Sequence, residues 1–219
     1  MLSALDSYAS SAGLLESLRT STTVGSTEQS GGGELRRKPL SVLVTGCCGR
    51  IGQAVCDELL SSADITRLVG LDRVERCPVR FLDSSKFNYI QGNLDDSAAC
   101  FDATDNIDAV VHLAAIPDDA NAHVLLPTNV NGFVNMLKSV QRRNKTQRCI
   151  SRLVVASSGK LWAGYGPVTT PLQVHDVPAP LTSSTKMSLS VGLRSSSDLM
   201  SRLEVSHCMI DCTSAFCAR

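Results

Sequence analysis

Three features that would mark common protein classes are missing from the sequence: an excess of charge of one sign, a long apolar run and a regular cysteine spacing. The 219 residues include 21 Lys and Arg against 21 Asp and Glu, so the formal net charge is zero. Surfaces that bind nucleic acids or anionic membranes need a basic excess. No apolar run approaches the roughly 20 residues that span a bilayer. We therefore expect neither a nucleic-acid partner nor a membrane partner.

The nine cysteines do not form a framework that their number or spacing would identify. Their number is odd, and no C-x-x-C pair occurs, which excludes a zinc ribbon and a thioredoxin-type site. Several lie in apolar runs, where a cysteine usually behaves as a small hydrophobic residue. We interpret them as reduced structural thiols in a reducing compartment, and we predict no metal site.

Composition divides the chain into three zones. Residues 1–38 are rich in Ser, Thr and Gly and are predicted to form a flexible leader, because this composition buries little surface. An organelle transit peptide is the alternative, but acidic residues dilute its positive character, so we expect a cytoplasmic location. Residues 39–186 are predicted to form an α/β domain. Residues 187–219 are predicted to be a divergent or truncated tail with a sixth strand near Leu203–Ile210.

Between residues 39 and 158, apolar β-branched runs alternate with segments of helical spacing. The strand-like runs are Leu40–Thr45, Leu68–Asp72, Phe87–Gln91, Ala109–Leu113 and Leu153–Ala156. Two helical stripes are formed by Ile51, Val55, Leu59 and Leu60, and by Val130, Phe133, Val134, Leu137 and Val140. Buried-type strands that alternate with helices favour a parallel sheet with right-handed crossovers. The predicted fold class is therefore α/β, with a doubly wound, Rossmann-like parallel sheet.

A glycine-rich turn follows the first predicted strand directly and opens the first helix, in the segment Thr45–Gly52. Gly46 allows a tight turn, Gly49 allows the backbone to approach a pyrophosphate, and Gly52 allows the helix to pack against the sheet. The N–H groups and the dipole at a helix N-terminus then favour the phosphate anions. This strand–turn–helix arrangement predicts that residues 39–186 form a dinucleotide-binding domain.

Asp72 ends the second predicted strand, 20 residues after Gly52. A carboxylate at this place accepts hydrogen bonds from both ribose hydroxyls and repels a 2′-phosphate, so NAD is favoured over NADP. The adjacent Arg73 is a counter-argument, because its guanidinium is able to hold that phosphate. A solvated aspartate at a strand end, without a ligand, is the other interpretation.

Five segments carry a family resemblance and occur in the expected order: Thr45–Gly52 with the pattern Thr-Gly-x-x-Gly-x-Ile-Gly, Gly92–Leu94, His112–Ala115, Asn129–Gly132 and Val155–Ser158. Over roughly residues 40–162 the chain resembles the extended short-chain dehydrogenase/reductases, the NAD-dependent epimerase/dehydratase group. The resemblance implies NAD as cofactor and a nucleotide sugar or sugar acid as substrate. It also suggests a homodimer through helices that flank the sheet, including Asn129–Val140.

The resemblance also implies roles for individual residues. Ser158 would be a catalytic residue that positions the substrate hydroxyl, and Lys186 a catalytic residue that holds the nicotinamide ribose. The implied cofactor-binding residues are Gly46, Gly49, Arg50, Ile51, Gly52, Asp72, Asn93, Leu94, Leu113, Ala114, Ala115, Asn129 and Lys186. His112 lies within an apolar strand, and we interpret it as a structural histidine rather than a catalytic one.

The chain departs from the family pattern in two ways. In that family a tyrosine four residues before the lysine is the general acid/base, whereas here Thr182 stands four residues before Lys186. Tyr165 is the nearest phenol, and it would have to fold back over the nicotinamide to substitute. The family's further C-terminal portion, which builds the substrate pocket, is largely missing. Two hypotheses therefore remain: an NAD-dependent oxidoreductase or epimerase, and a catalytically impaired dinucleotide-binding module.

Overall fold

The computed structural model of the chain describes residues 39–116, 121–146, 150–156 and 204–208. The strands in these ranges are β1 (Leu40–Thr45), β2 (Ile65–Asp72), β3 (Phe87–Gln91), β4 (Ala109–His112), β5 (Arg152–Ala156) and β6 (Glu204–Cys208). The helices are α1 (Arg50–Ser61), α2 (Val79–Leu82), α3 (Ser97–Ala103), α4 (Ala122–Leu125), a π-helix (Leu126–Gly132) and α5 (Phe133–Thr146). None of these helices is long and apolar enough to cross a membrane.

All six strands form one parallel sheet in the order β3-β2-β1-β4-β5-β6. Thr45, the last residue of β1, pairs with Leu71 of β2 and with His112 of β4. The carboxyl ends of these three strands therefore meet where the strand order reverses, which is where open α/β sheets bind their ligands. The predicted doubly wound architecture is confirmed, and it includes the sixth strand, which is shorter than the predicted Leu203–Ile210.

The core has two layers because successive residues of a strand point to opposite faces of the sheet. Val42 and Val44 of β1 pack in the same layer as Leu59 of α1. Leu43, which lies between them, packs in the other layer with Val140 of α5. All five of these side chains are fully buried. Helices thus cover both faces of β1, which explains why its sequence is apolar at nearly every position.

The strand ends differ from the predicted ones by a few residues. The second strand begins at Ile65, three residues earlier than predicted. The prediction missed these residues because the exposed Thr66 and the half-buried Arg67 interrupt the apolar run. The fourth strand ends at His112, one residue earlier than predicted. The next N–H group, that of Leu113, still donates to the carbonyl oxygen of Thr45 in β1 at 3.2 Å.

The helix after β4 also differs from its predicted stripe. The buried residues of α5 are Met136, Leu137, Ser139, Val140 and Arg143, whereas Phe133 and Val134 are half-buried. The preceding segment is a π-helix, whose larger turn rotates the residues that follow it. The buried Arg143 donates a hydrogen bond to the Phe101 carbonyl and forms an ion pair with Asp105 at 3.1 Å. These partners compensate for the burial of its charge.

Candidate functional site

The turn between β1 and α1 begins at a glycine that no other residue could replace without strain. Gly46 has a φ of +73°, and its N–H donates to the Leu71 carbonyl at 2.8 Å. A Cβ atom at Gly46 would lie 2.8 Å from the backbone of Ala114, in the segment that follows β4. The positive φ and the close approach both exclude a side chain. The turn therefore sits directly against the carboxyl end of β4.

The other two glycines bring the start of α1 against this turn. A Cβ atom at Gly52 would lie only 2.0 Å from the Gly46 carbonyl oxygen. Gly49 is exposed, precedes α1 and provides no side-chain cap for the helix. Arg50 and Ile51 are the first two helical residues, one exposed and one half-buried. The N-terminus of a helix without a capping side chain offers N–H groups and a positive dipole end to an anion.

The carboxylate of Asp72 is directed at the glycine-rich turn. Its Oδ2 atom accepts a hydrogen bond from the N–H of Cys48 at 2.8 Å, and its Oδ1 atom accepts one from Val74 at 3.3 Å. Asp72 is half-buried, whereas the neighbouring Arg73 is exposed. A carboxylate has about four acceptor positions on its two oxygens, so both oxygens keep capacity for further donors. The ribose interpretation requires a carboxylate beside the glycine-rich turn, and Asp72 lies there.

A buried hydrogen-bond group joins the ends of β1 and β4. The Oγ1 atom of Thr45 lies 3.0 Å from Nδ1 of His112 and accepts the N–H groups of Leu113 and Ala114, each at 3.3 Å. The two N–H donors leave the hydroxyl hydrogen to point at Nδ1, which places the histidine proton on Nε2. Burial lowers the pKa of His112 to about 4, so it is neutral at pH 7. His112 thus has a structural role at the edge of the site.

The predicted cofactor residues after β4 are held by a pair of amide hydrogen bonds. Asn129 accepts the N–H of Ile116 on Oδ1 at 2.8 Å and donates from Nδ2 to the Ile116 carbonyl at 3.0 Å. This pair mimics one rung of a β-ladder between the π-helix and the loop after β4. Leu113 and Ala114 in that loop are half-buried, and Ala115 is exposed. Asn129 therefore positions the loop that lines the site.

The predicted adenine segment lies after β3. Asn93 is exposed, and its backbone carbonyl accepts the N–H of Asp96 at 3.1 Å. Leu94 is buried, and its Cβ atom lies 2.5 Å from where a Cβ of Gly132 would be. Asn135 donates to the Leu94 carbonyl at 3.0 Å. Gly132 thus permits the π-helix to pack closely against this segment, and Leu94 contributes its backbone rather than its side chain to the surface.

Two cysteines within the turn received no role from the sequence. Cys47 is fully buried, Cys48 is half-buried, and their Sγ atoms are 3.9 Å apart. The Cys48 thiol also lies 3.8 Å from the hydroxyl of Tyr89, which donates to the Val74 carbonyl and lies 3.3 Å from the Asp72 carbonyl. Burial raises the pKa of Cys47 and of Tyr89 above the usual range, so both are protonated at neutral pH. In the sequence, this pair of thiols is indicated by two adjacent cysteines inside the glycine-rich turn.

The structure therefore brings together one half of the predicted site. The glycine-rich turn, Asp72 and the loop after β4 meet at the carboxyl ends of β1, β2 and β4. The predicted catalytic residues Ser158 and Lys186 lie outside the described residues, as do Thr182 and Tyr165. The described half offers the uncapped N-terminus of α1 and the carboxylate of Asp72, which are groups that a dinucleotide is able to bond.

Comparisons with known proteins agree with this geometry. Residues 42–186 match the model of the NAD dependent epimerase/dehydratase family. One curated relative is a trifunctional UDP-glucose 4,6-dehydratase/UDP-4-keto-6-deoxy-D-glucose 3,5-epimerase/UDP-4-keto-L-rhamnose-reductase of Arabidopsis thaliana. It is 32% identical over 85 residues, which cover 36% of this chain and 13% of the relative.

Solved structures with the same fold match about three quarters of this chain. The Bordetella bronchiseptica enzyme WbmH in complex with NAD⁺ matches with a TM-score of 0.64 and 25% identity over 79% of this chain and 56% of its own. MoeE5 in complex with UDP-glucose and NAD matches with a TM-score of 0.58 and 27% identity over 76% of this chain and 52% of its own. Uronate dehydrogenase from Agrobacterium tumefaciens has a TM-score of 0.61 at 23% identity, over 74% of this chain and 56% of its own. The chain thus spans little more than half the length of these structures.

Proposed function

The chain belongs to the NAD dependent epimerase/dehydratase family, and from this premise we propose that its glycine-rich turn and Asp72 bind NAD. The observation that carries the proposal is the Asp72 carboxylate, which is held 2.8 Å from the Cys48 N–H beside the N-terminus of α1. Pyrophosphate would lie against the N–H groups of the turn and α1, and the adenosine ribose would bond to Asp72.

The close packing of the turn supports this proposal. A Cβ atom at Gly46 would overlap the backbone of Ala114, and one at Gly52 would overlap the Gly46 carbonyl oxygen. The turn therefore packs in direct backbone contact with the loop after β4 and with the first turn of α1. Gly49 is exposed, and it leaves room at the mouth of the turn where a diphosphate would lie. The carboxylate of Asp72 would repel a 2′-phosphate, which favours NAD over NADP, although Arg73 beside it is exposed and cationic. Titration with NAD and with NADP shows whether repulsion of the 2′-phosphate by Asp72 or its attraction by Arg73 is the stronger effect.

For the whole protein we propose an NAD-dependent oxidoreductase or epimerase that acts on a nucleotide sugar or a sugar acid. NAD, when bound, accepts or returns a hydride at its nicotinamide ring. In this proposal Ser158 hydrogen-bonds the substrate hydroxyl and Lys186 binds the nicotinamide ribose. Two relatives support the substrate class through their names, since one is a UDP-glucose dehydratase and another was solved with UDP-glucose.

A catalytically impaired NAD-binding module is the second candidate, and Thr182 favours it. A threonine hydroxyl is too weak an acid to exchange a proton near neutral pH, whereas the family's tyrosine does so with help from the lysine. Such a module would bind NAD but would not turn over a substrate.

The absorbance of NADH, together with chromatography of the sugars, distinguishes the two candidates. The full chain is mixed with NAD and, in turn, with UDP-sugars and with uronic acids, alongside the variants Thr182→Tyr and Lys186→Ala. The first proposal predicts conversion of one of these substrates, with NADH formed by an oxidoreductase and with a changed sugar but no net NADH from an epimerase, which returns the hydride. Either product should be lost in Lys186→Ala and raised by Thr182→Tyr. General acid–base catalysis contributes about 10²–10⁴-fold, so the increase is easily measured. NAD binding without turnover in both wild type and Thr182→Tyr would instead support the impaired module.

We also propose that the chain forms a homodimer through the segment Asn129–Val140 and its continuation in α5. Lys138, Gln141 and Arg142 are exposed on this helix, so a polar face is available to a second copy. Sedimentation of the wild type and of Lys138→Glu tests the interface. A monomeric wild type contradicts it.

The location of the protein is proposed to be cytoplasmic, with an organelle as the alternative. Free thiols suit a reducing compartment. The cysteines whose side chains the structure describes are all free, namely Cys47, Cys48, Cys56, Cys77 and Cys100. A fluorescent fusion to the C-terminus, with and without residues 1–38, distinguishes the two locations.

A further inference from the structure

Cysteines are unevenly distributed over the two faces of the sheet. Cys47, Cys56 and Cys77 belong to the core layer on the α1 side, and Cys48 packs against that layer. Cys100 is the one described cysteine in the opposite layer. Four cysteines, Cys47, Cys48, Cys56 and Cys77, thus lie on the side of the sheet that α1 covers.

Two thiols of this layer and a carboxylate oxygen of Asp72 have the spacing of a metal site. The Sγ atoms of Cys47 and Cys48 are 3.9 Å apart, and both lie within 4.8 Å of a carboxylate oxygen of Asp72. In a tetrahedral zinc site with Zn–S bonds of about 2.3 Å, two sulfur ligands are about 3.8 Å apart. The two thiols therefore need almost no rearrangement to bind one cation together.

We propose that Cys47, Cys48 and Asp72 form a binding site for a thiophilic divalent cation such as Zn²⁺ or Cd²⁺. The two sulfur atoms and one carboxylate oxygen supply three ligands of a tetrahedron. The fourth position of the tetrahedron would be left for a water molecule. On binding, two S–H bonds break and two metal–sulfur bonds form, both protons pass to solvent, and no atom changes its oxidation state.

Access to the proposed site is from the mouth of the glycine-rich turn. Cys48 and Asp72 are half-buried there, whereas Cys47 is fully buried behind them. A cation would thus enter past Cys48 and be held between the turn and the end of β2. The spacing of cysteines along the chain did not indicate such a site, because two ligands are adjacent and the third follows 24 residues after Cys48.

Occupancy by a cation would compete with the dinucleotide, and this consequence rests on the proposed function. The carboxylate of Asp72 is the group that we assign to the adenosine ribose, and a cation bound to it neutralises its charge and uses its lone pairs. The cation would therefore be an inhibitor of NAD binding rather than a cofactor of the reaction. Metal binding and NAD binding can be measured separately.

The first experiment titrates the reduced full chain with Cd²⁺ and records the ultraviolet absorption of thiolate–Cd²⁺ bonds. The variants are Cys48→Ser, Asp72→Asn and the matched control Cys100→Ser, whose cysteine lies across the sheet. The structure does not describe the side chains of four further cysteines, Cys149, Cys208, Cys212 and Cys217, so the difference between variants is the quantity measured. We expect Cys48→Ser to bind about one Cd²⁺ fewer than Cys100→Ser, and Asp72→Asn to bind that ion more weakly.

Equal stoichiometry in Cys48→Ser and Cys100→Ser overturns the site. Circular dichroism establishes that each variant is folded, and Cys48→Ala is the second variant if the serine disturbs the turn. Loss of the band in all variants, the control included, also contradicts the assignment, because it shows that the ion is held elsewhere.

The second experiment repeats an NAD titration with and without Cd²⁺. At a Cd²⁺ concentration about ten times its own dissociation constant, strict competition lowers the apparent NAD affinity about 11-fold. The effect should be present in Cys100→Ser and absent in Cys48→Ser, relative to the affinity of each variant without Cd²⁺. Undiminished NAD affinity with Cd²⁺ bound overturns the shared role of Asp72. A chain that binds Cd²⁺ but no NAD at all refutes the proposed function and leaves the metal site in place.

Discussion

Acid should destabilise the folded chain through one buried histidine. His112 is 6% exposed, and burial lowers its pKa from the ordinary value of 6.5 to about 4. Between these two values the unfolded chain binds a proton at this position and the folded chain does not. The free energy of unfolding therefore falls as the pH is lowered from about 6.5 to about 4, and the histidine contributes no further loss below that.

The size of the effect follows from the separation of the two pKa values. Each pH unit of separation corresponds to about 1.4 kcal/mol, so the difference between 6.5 and about 4 amounts to about 3 kcal/mol. This is a large part of the stability of an ordinary domain, which is about 5–15 kcal/mol. The hydrogen bond from Thr45 would be lost as well, because a protonated Nδ1 cannot accept it.

Urea unfolding of the wild type and of His112→Asn between pH 7 and pH 4 measures this contribution. Asparagine keeps a polar group near Thr45 but does not titrate, so the pH dependence from all other groups cancels in the comparison. We expect the wild type to lose about 3 kcal/mol more than the variant over this range. Parallel pH profiles for the two proteins would refute the reasoning, as would an imidazole resonance of His112 that titrates near 6.5.

Two further predictions concern the glycine-rich turn and the loop beside it. Gly52→Ala places a Cβ atom 2.0 Å from the Gly46 carbonyl oxygen and should lower the free energy of unfolding by about 1–3 kcal/mol or more. Gly49→Ala, whose Cβ atom has its closest contact at 3.2 Å, should lower it much less. Urea unfolding measures both losses, and equal losses would contradict the packing. Asn129→Asp removes the donor to the Ile116 carbonyl and should cost about 1–3 kcal/mol, also measured by urea unfolding. An unchanged stability in Asn129→Asp would mean that this amide does not hold the loop.

Much of the fold follows from the sequence because its strands are buried on both faces. The predicted ranges Leu40–Thr45 and Phe87–Gln91 coincide with β1 and β3, and the glycine-rich turn lies where the pattern places it. The family resemblance is confirmed by the match over residues 42–186. The short α3 was not predicted, although Asp96, which accepts the N–H of Ala98 at 2.8 Å, is a typical N-cap.

Other features depend on tertiary contacts that periodicity does not contain. The π-helix packs closely against Leu94 at Gly132, a contact between residues that are far apart in the sequence. The bonds of Asn129 to Ile116 and of Asp72 to Cys48 join residues that are 13 and 24 positions apart. Such pairs are visible only once the sheet has brought the loops together. The roles of Ser158 and Lys186 stay predictions.

Calorimetric titration of NAD into the wild type and Gly49→Asp tests the central claim most directly. The backbone of Gly49 is extended, with φ −69° and ψ 164°, which suits aspartate, and an aspartate there is also a good helix N-cap. The variant should therefore keep its stability and its circular dichroism. Its carboxylate should fill the place of the pyrophosphate and repel the negative charge of that group. We predict one-site binding of NAD to the wild type and no measurable binding to Gly49→Asp. Equal binding to both proteins, or none to the wild type, would contradict the assignment of the turn as a dinucleotide site.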